Sequence, residues 1–168
     1  MKIRNSRKGN SLIEFTLVGV PLIFLAISIT SAGLNMWQFH NLAYTVDLTT
    51  RYVASHGNVC TQTGNSCYTT LGSIYSVMSK TGMALDPSKV NVTLTSASGA
   101  NTTCQPLTNC SGSSTQWPSS TDNAIGNDVK ITATYKLINP IIMFFPDGNK
   151  TASGQFTVAA TARQRILF

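Results

Sequence analysis

The chain has 168 residues and a formal net charge of +6, from 12 Lys+Arg against 6 Asp+Glu. Charged residues make up 11% and apolar residues 42%, against the roughly 25% charge usual in soluble globular domains; this speaks against a highly solvated cytosolic protein and is consistent with one modest domain. Lys2, Arg4, Arg7 and Lys8 crowd the N-terminus while the other basic residues are scattered singly from Arg51 to Arg165, so the basic stripe interleaved with aromatics that marks a nucleic-acid partner is missing.

The basic cluster stops where an apolar run begins, from Leu12 to Leu34. The stretch Phe15 to Leu34 carries no charge, and at about 1.5 Å per helical residue it covers the roughly 30 Å of a bilayer core. A positive flank before it and no comparable cluster after it predict that residues 1 to 9 stay cytoplasmic and that the rest is translocated. Leu34, Trp37, Asn41/Leu42, Thr45/Val46, Leu48/Thr49 and Tyr52/Val53 then recur every three or four residues, which continues a helix with one apolar face to about His56, where Gly57-Asn58 ends it. Within the apolar run Gly19 and Pro21 mark a candidate kink; proline is also simply tolerated in membrane helices.

A second amphipathic helix is predicted from Tyr68 to Met83, with Leu71, Ile74, Tyr75 and Met78 on one face and Asp86-Pro87 closing it. Three period-two segments follow, Val90 to Leu94, Val129 to Leu137 and Phe156 to Ala162, and each reads as a strand of an antiparallel sheet covered on one side by the stalk helix. Residues 96–127, rich in Ser, Thr, Asn and Gly, read as a long stapled loop. The fold class expected is therefore α+β, a long N-terminal helix packed on a small antiparallel sheet with a second helix.

Four cysteines, Cys60, Cys67, Cys104 and Cys110, lie in the translocated part, where an even count implies two disulfides. Three connectivities exist; close spacing favours Cys60 to Cys67 and Cys104 to Cys110, each worth about 2 to 3 kcal/mol. A zinc site on His56, Cys60 and Cys67 lacks the Cys-x2-Cys pair such sites use, so no metal is expected. The connection carrying Ile141, Ile142, Met143, Phe144 and Phe145 is apolar where a hairpin loop is normally polar. Two readings stay open: contact with a neighbouring subunit, the membrane surface or an assembly protein, or a loop folded back on the core. Arg163 and Arg165 share a strand face and read as a solvated edge.

No Gly-x-Ser-x-Gly elbow, phosphate loop or His-Glu-x2-His helix occurs, and no enzymatic activity or cofactor is expected. Glu14 is the only glutamate and sits inside the apolar run. An ionised carboxylate there costs about 2.5 to 3.5 kcal/mol near the bilayer centre, less toward the interface, unless a cation neutralises it. Cutting the chain after Gly9 would give Asn10 an ammonium group of the required sign.

The residues Arg7-Lys8-Gly9-Asn10-Ser11-Leu12-Ile13-Glu14-Phe15 resemble the processing site of type IV pilin precursors, with a short basic leader ending in Gly and a Glu at the fifth position after it. With Pro21 in the apolar helix and the continuation through Asp47-Leu-Thr-Thr-Arg51-Tyr-Val-Ala-Ser, the chain is most similar to the TadE-like minor pilins, or pseudopilins, of the tight-adherence (Flp) pilus system. It departs from the wider pattern in placing Asn10 where major type IV pilins have an aromatic residue, and Phe15 where tight-adherence major pilins have Tyr. The resemblance implies a leader at 1–9, a transmembrane helix at 10–34, its periplasmic continuation at 35–56 and a periplasmic head at 57–168. It implies cleavage after Gly9 by a prepilin peptidase, with Glu14 pairing to the N-terminal amine of a neighbouring subunit. The partners implied are other pilin or pseudopilin subunits, the peptidase, an inner-membrane assembly platform and the lipid bilayer. The protein would sit in a bacterial inner membrane and enter a surface pilus or its tip.

Two other readings of the N-terminus remain: a secretory signal peptide cleaved after Thr30-Ser31-Ala32, and a plain uncleaved anchor. Either would make the chain an exported, disulfide-stapled adhesin or binding domain.

Overall fold

The computed structural model describes residues 8–57, 68–138 and 155–167. The first element, α1 (Lys8–Ala54), is a helix of 47 residues that continues through Gly19 and Pro21, about 70 Å in length. Its two parts differ completely in packing. No side chain from Leu12 to Asn41 is buried, whereas Leu42, Thr45, Val46, Thr49, Thr50, Val53 and Ala54 are, at the three- and four-residue spacings that place them along one face. Three threonines enter this face without an aliphatic core's chemistry, and two of them turn their hydroxyls onto their own helix: Thr49 donates to the Thr45 carbonyl and Thr50 to that of Val46, each at 2.7 Å. The helix ends at Ala54 rather than near His56 because the last turn tightens, the His56 N–H bonding the Val53 carbonyl at 3.0 Å.

Helix α2 (Leu71–Thr81) is shorter at both ends than the expected Tyr68 to Met83. Thr70 caps its start in a reciprocal box, its hydroxyl accepting from the Ser73 N–H at 3.1 Å and its own N–H donating to the Ser73 hydroxyl at 2.9 Å. Gly82 ends it, its N–H bonding the Met78 carbonyl at 2.9 Å. Asp86-Pro87 therefore does not close the helix; Asp86 instead organises the next turn, accepting from the Ser88 N–H at 3.0 Å and the Ser88 hydroxyl at 2.6 Å.

The sheet has four antiparallel strands in the order β2-β1-β3-β4: β1 (Val90–Thr95), β2 (Asn101–Cys104), β3 (Asp128–Ile138) and β4 (Gln155–Arg165). Val90, Val92 and Leu94 of β1 and Val129, Ile131, Ala133, Tyr135 and Leu137 of β3 are buried on one face, and α1 packs there against β3 and β4. The stalk helix is the cover that the period-two pattern calls for.

Residues 96–127 are more than a loop. Asn101 to Cys104 form the edge strand β2, paired with β1 from Thr95↔Asn101 to Val92↔Cys104, and a short 3-10 helix follows at Leu107–Cys110. The Cys104–Cys110 disulfide, with a Cα separation of 5.7 Å, ties the two together. Trp117 is buried, its N–H bonding the Thr69 carbonyl at 3.0 Å while the Thr69 hydroxyl donates to the Trp117 carbonyl. The expected Cys60–Cys67 pair and the apolar residues Ile141, Ile142, Met143, Phe144 and Phe145 lie outside the described residues.

The loop after the 3-10 helix is laid across the first turn of α2. The Leu71 N–H bonds the Thr115 carbonyl and the Gly72 N–H the Ser113 carbonyl, both at 2.9 Å. A Cβ at Gly72 would stand 2.7 Å from that same Ser113 oxygen, a backbone atom that cannot step aside. Gly72→Ala should therefore cost about 2 kcal/mol by overpacking, although alanine in a helix ordinarily gains roughly 0.5 to 1 kcal/mol over glycine. Thermal unfolding followed by circular dichroism decides the sign. A raised midpoint would mean that the loop does not rest on α2.

Candidate functional site

The feature that sets this chain apart from a self-contained domain is the first part of α1. Leu12, Phe15, Leu17, Leu22 and Ile29 are each at least 64% exposed, and the helix is long and apolar enough to cross a membrane, with a mean hydropathy of 2.3 in its most apolar window. In water such a surface would far exceed the apolar patch a monomer tolerates. Its polar side chains are largely turned inward on the helix: Thr16 donates to the carbonyls of Leu12 and Ile13 at 3.1 and 2.9 Å, Ser28 to Phe24 at 2.7 Å and Thr30 to Ala26 at 2.9 Å. Hydroxyls satisfied in this way carry no demand for water.

Glu14 stands apart from that pattern. It is exposed on α1, carries the only charge between Lys8 and Asp47, and forms no ion pair among the described residues. The structure places Gly9 and Asn10 in the first turns of the same helix, so the three expected processing residues lie on one element. Gly19 and Pro21 fall within the unpacked part.

A band of amphipathic and aromatic side chains follows the apolar run. Met36, Trp37 and Tyr44 are 63%, 57% and 60% exposed, and Phe39 is 38% exposed; the Phe39 ring lies 5.9 Å from that of His40. Trp and Tyr at this position, one end apolar and the other polar, match the preference of these rings for a boundary between hydrocarbon and water. The side-chain amide nitrogen of Asn41 and the hydroxyl of Thr45, both buried, have no hydrogen-bond partner among the described residues. They sit where α1 enters the head.

The remaining polar residues serve the head. His56 Nδ1 donates to the Tyr52 carbonyl at 2.7 Å and its ring lies 4.3 Å from that of Tyr52, which fixes it against the end of α1. Among the described residues no three of His, Cys, Asp and Glu come together to hold a metal ion. Arg163 and Arg165 are exposed on β4, as a solvated edge requires, but both reach across the sheet to Asp128, at 2.6 and 3.5 Å. Sequence alone did not reveal that pairing, because it depends on the Asp128↔Arg165 register. Three carboxyls are held below the ordinary aspartate range: Asp86 by hydrogen bonds from Ser88, Asp122 by the hydroxyls of Ser96 and Ser98, and Asp128 chiefly by the Arg163 guanidinium.

Comparison of the chain with protein-family models, with curated proteins and with solved structures finds no match.

Because the three aspartates have lowered pKa values in the folded chain, their contribution to stability is present above the unfolded value of about 3.9 and is lost as the pH falls through the folded values. The thermal midpoint should drop on acidification below about pH 4. Asp128→Asn should lower the midpoint at neutral pH and make the acid drop smaller. An unchanged acid limb in that variant would remove the Arg163–Asp128 pair as its source.

Proposed function

We propose that the chain is a minor pilin or pseudopilin of a tight-adherence type pilus, inserted in the bacterial inner membrane with its N-terminus inside, cleaved after Gly9 and assembled through α1. The observation that carries this reading is a single unbroken helix, Lys8–Ala54, whose first part is apolar with no buried side chain from Leu12 to Asn41, with one carboxylate near its start, and whose last part is built into the core of an α+β head. A secretory signal has no reason to continue, without interruption, into the head's own core helix. Removing residues up to Ala32 would leave the buried face of α1 in place but discard the segment whose composition is the least ordinary in the chain.

The chemistry supports each role. The bond between Gly9 and Asn10 lies in the first turn of α1, where N–H groups have no intrahelical partner and the backbone opens at least cost. Cleavage there leaves an ammonium group on Asn10, and Glu14 is the charge of opposite sign on the same segment. Within one helix the two lie a turn apart; between helices stepped along a filament axis, the amine of one subunit neutralises the Glu14 of the next, which removes the cost of an ionised carboxylate in an apolar bundle. The exposed helix surface then finds its partners in neighbouring copies of the same helix, first in lipid and later in the filament.

Recovery of the protein from membranes, with its intact mass and N-terminal sequence, tests the reading: the expected start is Asn10. A start at Gly33 would make the head a free exported domain. Glu14→Gln should leave processing intact and abolish assembly, by at least about tenfold in incorporated subunit, on the scale of the roughly 2.5 to 3.5 kcal/mol at stake. Normal piliation in that variant would sink the pairing mechanism.

A further inference from the structure

We propose that the head makes a second contact with the bilayer, through the end that carries the turn after α2, with the lysines around that turn on anionic phospholipid headgroups and Met83 reaching between them. The inference rests on the reading of α1 as a membrane span and adds an orientation for the head.

The geometry fixes which end of the head faces the bilayer. Burial on α1 begins at Leu42, about 12 Å along the helix from Leu34, just beyond the interfacial layer of roughly 5 to 8 Å on each side of the hydrocarbon core, so the usual tilt of a spanning helix, about 20°, brings the near side of the head down toward the headgroups. Gly82, at the end of α2, lies against Thr45, where a Cβ would come 3.6 Å from the threonine hydroxyl. The opposite end is marked by the Leu167 N–H on the Ala54 carbonyl at 3.4 Å and the Asn123 amide on the His56 carbonyl at 3.3 Å. Because β4 packs along α1 and delivers its C-terminus to Ala54, its first residues point toward the bilayer. The pairings Leu137↔Phe156 and Val90↔Tyr135 bring the end of β3 and the start of β1 to the same place.

The side chains gathered there suit a lipid surface. Met83 is 88% exposed, more than any other large apolar residue among the described ones, while Leu85 of the same turn packs on the core. Lys80 and Lys136 are exposed and make no ion pair among the described residues. Asp86, the acid of this end, is engaged by Ser88 and by Lys89 at 3.5 Å. Lys89 and Lys136 share a cavity of about 340 Å³ with Ser88, Asn91, Gln105 and Pro106, a set of ammonium, hydroxyl and amide donors that matches a phosphodiester. At the far end, by contrast, Arg163 and Arg165 are already met by Asp128. An exposed thioether beside two lysines without an ion pair and a third shared with Asp86, next to a spanning helix, is the composition of an interfacial contact.

The test is amide hydrogen exchange on the full chain reconstituted in nanodiscs of phosphatidylcholine alone or with phosphatidylglycerol added. Exchange in residues 82–91 should slow severalfold in the anionic discs. The triple variant Lys80→Gln, Lys89→Gln, Lys136→Gln should lose that severalfold protection, and the corresponding triple change to arginine should keep it; unchanged exchange in β3 confirms that the variants fold. Equal exchange in both lipids, with residues 12–34 protected in each, would overturn the head contact and leave the span intact. Exposed amides at 12–34 in both lipids would instead overturn the span itself, and this inference with it. Protection indifferent to lipid charge but dependent on two copies per disc would assign the face to a second copy and overturn the lipid contact.

Discussion

Everything in this molecule depends on one helix serving two environments. The face of α1 formed by Leu42, Val46 and Val53 is fully buried and packs on β3 and β4, while no side chain from Leu12 to Asn41 is buried. Each buried aliphatic side chain of this kind contributes about 1.5 to 3 kcal/mol, so the head cannot release α1 without losing its core. The unpacked part is thereby held rigidly to the head by a helix that has no break between them. Any force or contact on the N-terminal segment is transmitted to the sheet directly, without a linker.

The head solves its own problems locally. Its sheet has two edges. The one at β2 is short and tied down by the Cys104–Cys110 disulfide, and the one at β4 is longer. On β4 the solvent face carries Arg163 and Arg165, whose charge discourages the stacking of a second sheet and whose pairing with Asp128 keeps the β3–β4 register. A slip of one residue would turn Ile131, Ala133 and Leu137 outward, so the cross-strand ion pairs and the hydrophobic alternation specify the same alignment.

Much of this was legible in the sequence, and the reasons are specific. The apolar run, the three- and four-residue spacing of the stalk and the alternation of β1, β3 and β4 are long periodic signals, and the structure follows each within a few residues. The stretch from Ser96 to Asn127 was not legible because Asn101-Thr-Thr-Cys104 has almost no apolar alternation; it becomes a strand through pairing with β1, which a local pattern does not carry. The end of α2 differs from its expected place for a different, local reason. Asp86-Pro87 looks like the stronger stop, but Gly82 ends the helix first, with a Cβ there only 2.9 Å from the Met78 carbonyl. At the candidate site, Glu14 and the Gly9-Asn10 bond are one-dimensional features and were readable at once, whereas the gathering of Lys80, Met83, Lys89 and Lys136 at one end exists only after α2, β1 and β3 are folded onto α1.

The proposed pilin role and the proposed orientation of the head constrain each other. A head resting on the bilayer through Met83 and its lysines holds α1 at a fixed tilt and depth, because the contact and the span lie on one rigid body. Fixed depth matters for Glu14: a carboxylate one turn deeper or shallower experiences a different dielectric and meets a neighbour's amine at a different height. Extraction from the membrane then has to break the head contact and transfer the apolar helix together, so the lysine-rich end would act against premature release of unassembled subunits. In the proposed filament the same end would no longer face lipid, and the lysines of the proposed contact would be released from it.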